Sequence, residues 1–195
     1  MNTFHHAIFP SIVTETKCHL YKNIRNDLIK WIYEYQSKTE SVIYSNRGEG
    51  WQSPGNFYLQ ESFYEYKNYI LNNALQALSC YNRKFNLANM WININGRESH
   101  NITHCHPSAI LAGVLWVKIS ENCGDLVFDN PKTFDEHTLI ESIDKNIGRD
   151  RHYSNAFVFT PQEGTIVLFP AHLYHHVEPN KSNEDRISIA FNLNT

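Results

Sequence analysis

Up to about residue 81 the apolar residues of this chain recur at helical spacing, and from about residue 88 they recur in short runs of period two. Leu20, Ile24, Leu28, Trp31 and Tyr35 form one helical stripe, and Phe63, Tyr66, Ile70, Ala74, Leu78 and Tyr81 form a second. The later runs predict strands over 88–95, 102–106, 110–119, 125–129, 156–160, 165–169, 173–177 and 186–192. Helices first and strands afterwards argue for antiparallel sheets buttressed by helices, not for an alternating parallel fold. Eight short strands predict a mainly β chain closed as a double-sheet jelly roll, the cupin-like double-stranded β-helix.

The connections carry expectations too. Residues 4–15 read as a first strand held to an edge by Pro10, and Asn122-Cys123-Gly124-Asp125 reads as a hairpin turn between two strands. Residues 37–60 are rich in Ser, Asn, Gly and Pro around Tyr44, Trp51 and Tyr58, which predicts a long loop carrying aromatics. Residues 131–155 read as a polar, exposed insertion or lid. Together with 40–56 they are expected to border the mouth of a site.

At 195 residues the chain suits one domain spanning 1–195. A net charge of -3 and a pI near 6.4 provide no basic stripe for phosphates and argue against nucleic acid as a partner. Cys18, Cys80, Cys105 and Cys123 form neither a C-x-x-C pair nor a dense disulfide pattern, which suits a reducing cytoplasm. The start lacks a basic, apolar-cored leader, and the apolar run 109–117 is too short to span a bilayer, so no membrane role is expected. Oligomeric state is not encoded in any of these features.

Eleven histidines are many for this length, and those at ligand spacing carry the argument. His5, His6, His19, His137 and His152 read as structural or solvated. In an extended strand residues i and i+2 share a face, so His104 and His106 can converge on one ion while Cys105 points away. A third imidazole is available at His175 or His176, which face opposite ways. Imidazoles suit zinc, iron, copper or nickel and do not choose among them. In 186–192 period two places Arg186, Ser188, Ala190 and Asn192 on one face and Ile187, Ile189 and Phe191 on the other. An arginine and a hydroxyl aimed the same way make a site for a carboxylate, although Arg186 also has Glu184 and Asp185 beside it.

Several runs carry a resemblance: Trp91-Ile92-Asn93, His104-Cys105-His106-Pro107, Leu111-Ala112-Gly113-Val114, Phe159-Thr160-Pro161-Gln162-Glu163-Gly164, Phe169-Pro170, His175 with Val177-Glu178-Pro179-Asn180, and Arg186 through Asn192. Together with Ser45-Asn46 and Gly50-Trp51-Gln52-Ser53, they resemble a bacterial and phage group of 2-oxoglutarate/Fe(II)-dependent oxygenases. The resemblance implies a dioxygenase that hydroxylates a C–H of a small molecule, amino acid or peptide side chain, using O2, Fe(II) and 2-oxoglutarate. It implies His104, His106 and His175 as metal ligands, and Arg186 and Ser188 as the grip on the distal carboxylate of 2-oxoglutarate. Asn93 joins the cofactor side, with Asn93 or Asn95 expected to fix an imidazole tautomer. Trp51, Gln52 and Trp91 are candidates for substrate contact. The wider superfamily has an aspartate where His106 stands, and Asp129 is the nearest alternative carboxylate.

Two other classes use parts of the same pattern. A three-histidine cupin-type enzyme, either an oxygenase without 2-oxoglutarate or a zinc hydrolase, would need the histidines but not Arg186 and Ser188. A non-enzymatic jelly-roll binding module with Trp51, Trp91 and Trp116 as platforms would leave the histidine spacing unexplained.

Overall fold

The structure is a computed structural model, described here for residues 11–131 and 156–195. Most of the expected first strand over 4–15 and nearly all of the expected lid over 131–155 lie outside those residues. The strands are β1 (Thr14–Lys17), β2 (Asn46–Arg47), β3 (Trp51–Gln52), β4 (Asn86–Asn95), β5 (His100–His104), β6 (Leu111–Lys118), β7 (Leu126–Asp129), β8 (Ala156–Phe159), β9 (Thr165–Pro170), β10 (His175–Val177) and β11 (Arg186–Asn194). Two α-helices, α1 (Tyr21–Gln36) and α2 (Tyr64–Ala77), precede most of them. The strands form a six-stranded sheet, β1-β9-β6-β11-β4-β3, and a five-stranded sheet, β2-β5-β10-β7-β8. All the strand pairs are antiparallel. This is the double-stranded β-helix expected from the sequence.

The alternation within strands divides the interior into two cores. One face of the large sheet, carrying Met90, Ile92, Ile94, Ile187, Ile189 and Phe191, packs on the helices through Leu28, Ile32, Phe63, Ile70 and Ala74. Each of these side chains is at most 4 % exposed. Fully burying one such side chain contributes about 1.5–3 kcal/mol, so this layer holds the large sheet rigid. The opposite face, with Ala112, Val114, Trp116, Val167 and Phe169, meets Leu126 and Phe128 of the small sheet in a second core. Between the sheets, next to this second core, the lining turns polar. That is where the histidines lie.

Three expectations change. The 37–60 segment is not a plain loop: its strands β2 and β3 close the edges of the two sheets, and Trp51 packs into the helix-side core with its Nε1–H donated to Thr39 O at 3.0 Å. The turn at 122–125 has the left-handed residues expected of it, Asn122 (φ 61) and Gly124 (φ 86), yet it joins β6 and β7 of different sheets and so makes no hairpin. Leu20 lies just before α1 in a left-handed conformation and is 60 % exposed, so the packed stripe begins at Tyr21. No helix among the described residues is long and apolar enough to cross a membrane.

Candidate metal centre

Antiparallel pairing of β5 with β10 sets His104 directly opposite His175, and their ring centroids are 4.4 Å apart. β5 ends at His104, so the continuous strand expected through His106 is not what brings the third ring in. His106 N–H instead donates to Ala171 O at 2.8 Å, which folds the chain back beside the start of β10. The His106 ring then lies 5.1 Å from His104 and 5.2 Å from His175. One ligand atom from each of the three rings falls within 4.8 Å of the others, and among the described residues this is the group of His, Cys, Asp or Glu placed to hold a metal. Asp129 and His176 are not in it. His176 points the other way from His175, as alternation requires.

The tautomers are set by the backbone. His104 Nδ1 lies 2.7 Å from Ile102 O and His175 Nδ1 lies 2.9 Å from Leu173 O. A carbonyl oxygen can only accept, so each Nδ1 carries the proton and each Nε2 keeps its lone pair for an ion. The expected Asn93 or Asn95 partner is therefore replaced by the carbonyl two residues upstream, a bond that strand geometry offers without a further side chain. Burial pushes His106 down to about 4 and His175 to about 3, and lowers His104 as well. All three rings are neutral at neutral pH, the form that coordinates metal.

The inner face of β11 and β4 runs from this centre towards a buried cation. Register pairs Ser188 with Asn93 and Arg186 with Asn95. Ser188 and Asn93 line the same chamber as the three histidines, and Asn101 lines it from β5. Arg186, one step further along that face, is 1 % exposed. Its Nη1 donates to Cys123 O and, at 2.9 Å, to Glu178 O, while its Nη2 has no partner. The suggested ion pair with Glu184 or Asp185 is not formed: Glu184 pairs with Lys118, and Asp185 accepts from the Tyr33 hydroxyl. Burial lowers the guanidinium to about 10, which leaves it charged at neutral pH. The Glu178 carboxylate favours this charge without forming a direct ion pair with it, and a buried cation so placed is costly unless an anion meets its free nitrogen.

Gly124 makes this arrangement possible. A Cβ there would overlap the Glu178 carbonyl and lie 2.9 Å from Arg186 Nη1, at a φ of +86° that other residues seldom adopt. Gly124→Ala is expected to destabilise the fold by about 1–3 kcal/mol. A urea midpoint equal to that of the wild type would contradict this.

The remaining candidates separate. Trp91 faces the centre, its ring 5.6 Å from that of His106. Gln52 is 3 % exposed, and it and Cys105 line an outer groove that begins at His104 and His106. Cys105 therefore does not simply turn away. Trp51 lines neither the chamber nor the groove. A cleft of about 750 Å³ lined in part by Cys123 and Glu178 carries none of the three histidines.

Residues 89–192, more than half of the chain, match the family model described as 2OG-Fe(II) oxygenase. The chain belongs to that family. It is a 2-oxoglutarate- and Fe(II)-dependent oxygenase, with Fe(II) and 2-oxoglutarate as cofactor and cosubstrate and O2 as co-reactant. Solved structures share the oxygenase fold at low identity. A Pseudomonas putida prolyl-4-hydroxylase is 11% identical with a TM-score of 0.60, over 94% of this chain and 92% of that one. HygX from Streptomyces hygroscopicus, with nickel and 2-oxoglutarate bound, is 9% identical with a TM-score of 0.60, over 94% and 82%. A viral collagen prolyl hydroxylase from Paramecium Bursaria Chlorella virus-1, as its 2OG complex, is 13% identical with a TM-score of 0.53, over 93% and 94%. No curated protein matches the chain.

Sequence reasoning passed over Asn89, Asn101 and the two carbonyls that hold Arg186, and placed Asn192 on the Arg186 face without giving it a role. Part of the signal was present in the alternation Asn89, Trp91, Asn93, Asn95 on β4, which puts three carboxamides on an interior face opposite Met90, Ile92 and Ile94. A strand with one apolar face and one amide-rich buried face is built around something polar.

Proposed function

We propose that His104, His106 and His175 hold the Fe(II), and that Arg186, with Ser188 and Asn93, holds the distal carboxylate of 2-oxoglutarate while a substrate C–H is hydroxylated. The observation that carries this reading is Arg186: a buried guanidinium with one nitrogen unpartnered, two residues along one strand face from a serine that shares a chamber with the histidines. The donor chemistry fits the ion in that three neutral imidazoles suit Fe(II), and without the carboxylate of the usual facial triad the centre keeps one more positive charge. With Arg186 nearby the site is strongly cationic, which favours a dianion such as 2-oxoglutarate.

When bound, the metal and 2-oxoglutarate supply the activation of O2, with 2-oxoglutarate oxidised to succinate and CO2. The protein's part is positional. Cys123 O and Glu178 O fix one side of the guanidinium and leave Nη2 for a carboxylate oxygen, with the Ser188 hydroxyl and Asn93 amide adding bonds alongside. Trp116, Leu126 and Phe169 wall the chamber with apolar surface and limit water there. Trp91 packs beside His106 at the boundary with the groove, where a small-molecule or peptide substrate would approach.

Purified protein supplied with Fe(II), ascorbate and 2-oxoglutarate in air should form succinate, at a rate that falls to background when a chelator is added or O2 is removed. Metal-dependent turnover of other substrates with no succinate from 2-oxoglutarate would contradict the proposal.

A further inference from the structure

We infer that the groove outside the histidines takes an uncharged amide, so that the substrate is a peptide-bound or amide-capped amino acid and not a free one; this deepens the oxygenase reading above and rests on it. The groove encloses about 540 Å³ and shares Trp91, His104 and His106 with the inner chamber. Its described lining includes no Asp, Glu, Lys or Arg. A free amino acid would bring an ammonium into a lining with no acidic side chain to pair it, beside a cationic metal centre, and it would lose hydration without a partner.

The groove offers carboxamides instead. Gln52, Asn89 and Asn192 all line it, and in each the side-chain oxygen is buried with no hydrogen-bond partner. Gln52 is 3 % and Asn192 4 % exposed, so these orphaned groups are enclosed by the fold and are not solvated surface. Asn89 and Asn192 are directly paired across β4 and β11, which sets two carboxamides side by side at the mouth. Gln52 reaches in from β3, whose pairing sets it beside Asn93. Native structures satisfy nearly all buried polar groups, so three unsatisfied oxygens on residues that line one groove point to a ligand that supplies donors.

An amide fits this set better than a hydroxylated ring. A carboxamide can accept the N–H and donate to the C=O of one extended residue, groups that belong to the two amides flanking its Cα and that a free amino acid lacks. The indole that could serve as a stacking platform for a sugar, Trp91, already lies against His106 at 41°. Tyr44, 70 % exposed, and Ile102, 38 % exposed, border the groove and offer apolar contact to flanking side chains. The face thus reads from a cation at the Arg186 end, through the histidines, to neutral amides at the mouth.

The test uses N-acetyl, N-methylamide derivatives of the uncharged amino acids, the same amino acids free, and methyl glycosides of neutral sugars. Side-chain NH2 signals of Gln52, Asn89 and Asn192 are followed by NMR in metal-free protein, and succinate release is measured in the Fe(II)-loaded protein. At least one capped compound should shift those signals and raise succinate release above the substrate-free rate, while its free counterpart does neither. Asn192→Leu should weaken binding of that compound about fivefold, the worth of one neutral hydrogen bond. A free amino acid or a glycoside preferred over every capped compound would overturn the inference, as would a panel in which no capped compound shifts the three signals. Absence of any Fe(II)-dependent succinate would overturn the oxygenase reading instead, and the NMR measurement, which needs no turnover, would still decide what the groove binds.

Discussion

Arg186→Ala is expected to weaken 2-oxoglutarate binding by about thirtyfold or more, because removing one partner of a buried charge-assisted pair costs about 2–5 kcal/mol. Metal affinity should change far less, since the guanidinium lies beyond Ser188 and is not a member of the histidine group. Arg186→Lys should recover only part of the loss. An ammonium keeps the charge but cannot bond Cys123 O and Glu178 O while presenting a second nitrogen to the ligand. The measurement is an anaerobic titration of the metal-to-cosubstrate absorption band in the three proteins. Equal affinity in wild type and Arg186→Ala would remove the reason for preferring a 2-oxoglutarate site over a three-histidine zinc enzyme.

His175→Ala should lower Fe(II) affinity by more than about a hundredfold, beyond the 10–100-fold typical of losing a supporting partner outside the ligand set. Its neighbour gives the control. His176 lies on the other face of β10, outside the group of three, so His176→Ala should leave metal affinity within about a factor of three of wild type. Neither change should unfold the metal-free protein, because the two apolar cores do not depend on the ion. Isothermal titration with Fe(II) or Mn(II) under anaerobic conditions separates the two variants. A larger loss from His176→Ala than from His175→Ala would reverse the assignment.

Much of this was legible in the chain because two periods are involved. The helical stripes at 20–35 and 61–81 and the later period-two runs correspond to α1, α2 and eight of the strands, each within a few residues. β2 and β3 were not legible, since a two-residue strand has no period; their place is set by pairing with β5 and β4. The 122–125 turn shows a complementary limit. Asn122 and Gly124 encode the left-handed backbone that reverses the chain, but which sheet receives the next strand depends on packing in the second core.

The site divides along the same line. His104, Arg186 and Ser188 follow from alternation along their strands, whereas alternation leaves His175 and His176 both open and the resemblance selects His175. His106 meets the others through a backbone bond to Ala171 beyond the strand end, which no local pattern announces. The hold on Arg186 comes from carbonyls of Cys123 and Glu178, distant in sequence and carrying no side-chain signature. Trp51 illustrates the converse. An aromatic in a Gly- and Ser-rich stretch suits either a plug on the core or a pocket wall, and its ring takes the first place, packed edge-on to Tyr35 at 6.1 Å in the core.

The most direct test of the account is a crystal structure grown anaerobically with Mn(II) and 2-oxoglutarate, the manganese located by its anomalous signal. The account predicts one ion bound by the Nε2 atoms of His104, His106 and His175, with the distal carboxylate of 2-oxoglutarate against Arg186 Nη2 and the Ser188 hydroxyl. An ion bound by His176 or Asp129, or a cosubstrate carboxylate away from Arg186, would contradict it.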